Sequence, residues 1–225
     1  MPLTERDEEV LKHVARYRLT TTDALRRLFF PEAKPGGEKN IVRRLTGDYL
    51  QPQPLYGKRV YYQLTPKAAK VLGESEESAT PFGPQALVRL YGVLAFCCLG
   101  KTIRPVFTRT EFIQAFSGFA QALDLGQNHF YLDFDGKTTR LGQILVEQGG
   151  EYQRLVNKCR KLIERGRELP GFQEIINDEL FVISIVLAEE SKREMLLSHL
   201  RKNPLPVWCR AEVAHDLGYL MPHLA

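Results

Sequence analysis

The apolar period of the chain changes twice within its first 73 residues, and that change limits the possible folds more than any other feature. Thr4 is followed by Glu5, Asp7 and Glu8, a cap and an acidic first turn suited to the positive end of a helix. Val10, Leu11, Val14 and Tyr17 then recur at helical spacing, which predicts a helix over 4–18. A run of capping residues, Thr20 to Asp23, leads into a shorter helix with Ala24, Leu25, Leu28 and Phe29 on its apolar face, ended by Pro31. After a loop over 32–37, the spacing of Ile41, Val42, Leu45 and Tyr49 predicts a third helix over 38–49. From Leu50 the period shortens. Residues 50–55 and 60–64 read as two strands around Tyr56-Gly57-Lys58-Arg59, a β-hairpin. Thr65 as cap and Pro66 at the first helical position then restart a helix that ends near Gly73. Three helices, a hairpin with two cations at its tip and a further helix make a winged helix-turn-helix over 1–73.

Charge gives this segment a direction. The 225 residues carry a formal net charge of +4, too mild by itself to imply a nucleic-acid partner. Residues 1–73 hold 14 Lys/Arg against 8 Asp/Glu, whereas 74–225 hold 17 against 19. In a winged helix-turn-helix the third helix enters a DNA major groove and the hairpin reaches backbone or minor groove. The candidate DNA-binding residues are therefore Lys39, Asn40, Arg43 and Arg44 on the third helix, Lys58 and Arg59 at the hairpin tip, and Lys34 in the preceding loop. Arg can bridge two acceptors on guanine and Asn two groups on adenine, while Lys58 and Lys34 suit phosphate.

Residues 74–83 are acidic and proline-containing and read as a linker to a second domain over 84–225. There the pattern predicts a helix over 85–99, extended chain near Val106, and a helix over 109–119. A strand over 130–134, a long helix over 139–165 and a strand over 181–187 follow, then a helix over 191–201 and a strand over 206–211. Alternating strands and helices point to an α/β domain with a mixed sheet. The long helix is suggested by Leu141, Leu145, Gln148, Tyr152, Leu155, Cys159 and Leu162, alternately four and three residues apart, with Gly149-Gly150 as a kink. Arg154, Lys158, Lys161 and Arg165 run along its edge at the same spacing, as a solvated flank, a phosphate-tracking edge or a dimer seam.

The first segment, ERDEEVLKHVARYRLTTTDALRRLFF closing with VYYQLTPKAAKVLG, resembles the bacterial replication-relaxation family of DNA-binding proteins. FYLDFDG, FVISIVLAEESKREMLLSHL and PVWC are similar to that family's restriction-endonuclease-like domain. The resemblance implies a degenerate, non-catalytic nuclease scaffold. A working nuclease of that fold needs clustered carboxylates for a divalent metal and a nearby lysine. The alternative catalytic set is Asp124, Asp135 and Lys137, with Asp133 upstream.

Other chemistries are not supported by the sequence. It contains no phosphate-binding glycine loop, nucleophile elbow or HExxH motif, and its five His form no ligand pair, so no metal or cofactor is expected. Cys97, Cys98, Cys159 and Cys209 read as free thiols of a reducing cytosol. The N-terminal residues predict no secretory signal, and the longest apolar run, 86–99, is too short to span a bilayer. The expectation is a cytoplasmic, sequence-specific protein that binds double-stranded DNA as a homodimer and acts as a transcriptional regulator or a plasmid or mobile-element replication-control factor. Residues 84–225 would then provide dimer or partner contacts. The rivals are a metal-dependent nuclease and a winged-helix adaptor that binds protein.

Overall fold

The computed structural model describes residues 3–32, 36–123, 125 and 128–221. It is a mixed α+β chain that divides into two compact units, Met1–Ile103 and Arg104–Ala225.

In the first unit, α1 (Glu5–Tyr17), α2 (Thr22–Phe29) and α3 (Gly37–Leu45) precede β1 (Leu50–Tyr56), β2 (Arg59–Leu64) and α4 (Pro66–Leu72). Thr4 caps α1 through a reciprocal pair with Asp7, Thr21 caps α2, and Thr65 caps α4 with Pro66 in its first turn. Val10, Leu11 and Val14 of α1 pack with Leu25, Ile41, Leu45, Leu50 and Leu64 in one core. The third helix ends four residues before its apolar spacing predicts. Gly47 takes a left-handed φ of +95°, and Thr46 Oγ1 donates to Val42 O at 2.7 Å, so the chain turns before Tyr49. β1 and β2 are antiparallel, and Thr20 bridges the far side of β2 at Tyr62. Exposed Pro52 and Pro54 remove donors from β1.

The stretch 74–83, read as a linker, belongs to this first unit. Glu76–Ala79 forms a 3-10 turn with Ser78 and Ala79 buried. The Ala79 carbonyl accepts hydrogen bonds from Gln51 (3.0 Å) and Gln63 (2.8 Å) of the hairpin. Next, α5 (Pro84–Leu94) runs into a π-helical turn, Ala95–Leu99. Arg27 of α2 donates to Leu99 O at 2.9 Å and to Lys101 O at 3.3 Å. The units therefore part between Ile103 and Arg104, not within 74–83. Among the described residues, no helix is long and apolar enough to cross a membrane.

The second unit is built on a four-stranded sheet in sequence order. Its strands are β3 (His129–Phe134), β4 (Thr139–Val146), β5 (Phe181–Leu187) and β6 (Trp208–Val213). The first pair is antiparallel and the other two are parallel. Four helices, α6 (Arg109–Ala115), α7 (Tyr152–Arg167), α8 (Pro170–Asn177) and α9 (Glu190–Lys202), share a core with the sheet face carrying Phe130, Leu141, Phe181, Ile183 and Ala211. A short α10 (Leu217–Leu220) follows β6.

The helix expected over 139–165 is instead β4, a loop and α7. Gly149 and Gly150 have φ of +86° and +85°, which separates the two elements rather than kinking one. β4 is buried on both faces, so it lacks the alternation that marks a half-exposed strand. Gly142 within it is explained by its cross-strand partner. Tyr131 lies over Gly142 and bonds Ser184 Oγ of β5 at 2.6 Å, and a methyl added at Gly142 would stand 2.2 Å from the ring. Gly142→Ala should therefore lower stability by about 1–3 kcal/mol, read as a drop in the urea midpoint of tertiary structure. At Gly118, nothing lies within 4 Å of an added methyl, and Gly118→Ala should leave that midpoint nearly unchanged.

Candidate nucleic-acid interface

The third helix presents its cations because its inner face is taken. Glu38, Ile41, Val42 and Leu45 are buried, and Lys39, Asn40 and Arg43 are exposed. At about 100° per residue, these three fall within a sector of about 100°. Arg43 donates to Asn40 Oδ1 at 3.4 Å, so the two polar side chains lie together on that surface. Neither Lys39 nor Arg43 has a carboxylate partner among the described residues.

Arg44, also exposed, stands at the edge of the sector and reaches α1. Its guanidinium pairs with Asp7, whose side chain is 1% exposed. The same carboxylate accepts from the Thr4 amide at 2.9 Å and the Thr4 hydroxyl at 2.8 Å. Burial pushes the Asp7 carboxyl up, but the hydrogen bonds from Arg44 and Thr4 outweigh it and leave the group below its ordinary value. Arg44, expected at the DNA, is thus a clamp between α3 and α1. Sequence gave no hint of this, because the partners are 37 residues apart.

At the hairpin tip, Lys58 is exposed and without an ion pair among the described residues. Arg59 reaches Asp23 of α2 at 3.2 Å and lies over the Tyr56 ring at 5.6 Å. Both partners of that pair are more than half exposed, so it holds Arg59 only weakly. Lys34 lies outside the described residues. Arg26 of α2, not singled out from the sequence, is a further exposed cation, beside Asp23, Arg27 and Pro31.

The alternative catalytic set falls only partly within the described residues. Asp124 lies outside the described residues, and Lys137 is exposed. Asp135 Oδ2 accepts from Arg140 at 2.5 Å, and Oδ1 accepts from the Thr138 and Lys137 amides at 2.9 and 3.0 Å. Those bonds, Arg140's first, hold its carboxyl well below the usual range. Asp133 is buried and clamped by both nitrogens of Arg210, at 2.6 and 2.8 Å. Arg104 lies 3.7 Å from Asp133 and pairs with Glu212 at 3.0 Å. Buried Glu147 receives Lys192 at 2.5 Å and the Ala188 amide at 3.0 Å. No group of three His, Cys, Asp or Glu placed to hold a metal occurs among the described residues. None of the four cysteines forms a disulfide. Burial pushes Cys98 and Cys159 up to about 12 and half-buried Cys209 to about 11, which makes them poor nucleophiles. No protein-family model, curated protein or solved structure matches the chain.

Two outcomes follow from α1. Removing the Arg44 guanidinium leaves a buried carboxylate with one cation fewer. Arg44→Gln should cost about 1–3 kcal/mol in the melting of the first unit. His13 is buried, 2.9 Å from Thr20 Oγ1 and against the Tyr17 and Phe29 rings. Burial, aided by the Arg16 charge, lowers its pKa from 6.5 to about 4. Between those values the unfolded chain binds the proton and the folded chain does not, so stability is lost as pH falls through that window. The loss is roughly 3 kcal/mol. His13→Gln should flatten that part of the stability–pH curve measured by urea titration.

Proposed function

We propose that this chain binds double-stranded DNA in a sequence-specific way, with residues 3–72 acting as a winged helix. In this reading α3 enters the major groove, and the β1–β2 hairpin is the wing that touches the backbone. One observation carries it: Lys39, Asn40 and Arg43 share one exposed sector of α3, behind which the helix is wholly apolar except for Glu38. Elsewhere in the same unit Lys67 meets Asp48 at 2.8 Å. Lys39 and Arg43 meet no carboxylate among the described residues, and the three residue types of the α3 sector are those that read base edges and hold phosphates.

The second unit serves as a non-catalytic, nuclease-like scaffold for contacts between copies or with a partner. Asp133 is engaged by Arg210 and Arg104, and Asp135 by Arg140. The resemblance to the replication-relaxation family points the same way, to a cytoplasmic regulator of transcription or of plasmid or mobile-element replication. As a homodimer it would read two half-sites about one helical turn apart, or a multiple of it.

Duplexes selected from a random pool, and the DNA upstream of the protein's own coding sequence, provide the test by gel shift at several salt concentrations. Arg43→Gln should cost about 1–3 kcal/mol on the selected site and relax its specificity. Lys58→Gln should weaken all duplexes alike and make the salt slope shallower by about one. Absence of salt-sensitive binding to any duplex at low ionic strength rejects the proposal.

A further inference from the structure

The second unit is nearly neutral as a whole, with 15 Lys/Arg against 16 Asp/Glu over 104–225. Six of those 15 cations stand on α7 alone, with Glu164 as the single acid within the helix. Leu155, Val156, Cys159, Ile163 and Gly166 face the core. At about 100° per residue, Arg154, Lys158, Lys161 and Arg165 fall within a sector of only about 60° on the opposite side, and Glu164 lies about 90° from its centre. All four are exposed, and none has a carboxylate partner among the described residues. The stripe is about 16 Å long at 1.5 Å per residue.

This arrangement works against the helix that carries it. Arg154 and Lys158, and Lys161 and Arg165, are like charges four residues apart, which repel. Arg154 also sits in the first turn, where the helix dipole disfavours a cation; Glu151 at the N-cap makes no side-chain cap bond. The neighbouring α9 is built the other way. Its Lys192 meets Glu147 and Glu189, and its Arg193 meets Glu190. A merely solvated face has no need to concentrate one sign in so narrow a band.

We infer that the α7 stripe is a second polyanion surface, and that its ligand is the phosphate backbone of duplex DNA. The inference rests on the proposed function, which supplies the polyanion. It adds a sequence-independent contact from the second unit, separate from α3 and the hairpin. Regular single-sign charge on a straight helix suits a linear array of phosphates and carries no base-reading side chain.

The full chain tests this with a random-sequence duplex. Replacing Arg154, Lys158, Lys161 and Arg165 with Gln together should make the slope of log affinity against log salt shallower by about three to four. Affinity for random duplex at low salt should fall at least tenfold. The charge-keeping variant with Lys and Arg exchanged at all four positions should retain both. Arg160→Gln with Arg167→Gln, which lie outside the sector, should leave the slope unchanged. An unaltered slope in the four-Gln protein overturns the inference; if Arg43→Gln and Lys58→Gln still weaken binding there, the proposed function stands. Equal losses from the Arg160/Arg167 pair also overturn it, since bulk charge would then explain the effect. Binding of anionic phospholipid vesicles that depends on the four residues, without duplex binding, assigns the stripe to a membrane surface and rejects the duplex. A protein that binds no duplex in any form fails both readings.

Discussion

Asp7 is 1% exposed and ionised, and the first unit is arranged round that fact. A buried carboxylate is costly unless hydrogen bonds and a cation come with it. Thr4 supplies an amide and a hydroxyl from the helix start, and Arg44 supplies the charge from α3. One acid therefore caps α1 and fixes where α3 lies against it. The bond from Arg44 to Asp7 limits the rotation of α3 about its own axis. Ile41, Val42 and Leu45 must then face the core, and Lys39, Asn40 and Arg43 must face solvent.

The second unit meets the same constraint at Asp133. Its carboxylate lies on the sheet face opposite Phe130, Leu141 and Ile183, and Arg210 of β6 reaches it with two nitrogens. That bond joins the first and last strands of a sheet whose third strand, β5, is apolar except for Ser184. Tyr131, two residues earlier on the same face, spans β4 over Gly142 to Ser184. Carboxylates at such places invite a catalytic reading. Here Arg210 and Arg104 neutralise Asp133, and Arg140 neutralises Asp135.

The first unit was largely legible because its signals are local. Caps at Thr4, Thr21 and Thr65, Pro31, and the turn at Gly57 each act within a few residues, and each lies where the sequence places it. The failures needed distant partners. Residues 139–146 carry Leu141 and Leu145 four apart, which fits a helix as well as a strand buried on both faces. Only the neighbours β3 and β5 decide between them. The acidic stretch 74–83 resembles a linker by composition, yet Gln51 and Gln63 hold its Ala79 carbonyl. The pairing of Arg44 with Asp7 was likewise not readable, since the partners lie 37 residues apart. The exposure of Lys39, Asn40, Arg43 and Lys58 was readable, since it needs only the helical period and a turn.

A net charge is therefore a poor guide to where a polyanion would bind, and pairing is a better one. The basic excess of the first 73 residues counts Arg44, Arg59 and Lys67, each of which has a carboxylate close by. Over 104–225 the count is nearly balanced, yet within α7 six cations stand with one acid, Glu164. Unpaired cations are what an approaching phosphate meets, because a paired one must first give up its partner. By that measure the second unit, with its four aligned cations on α7, is as basic a surface as α3, although its sum of charges conceals it.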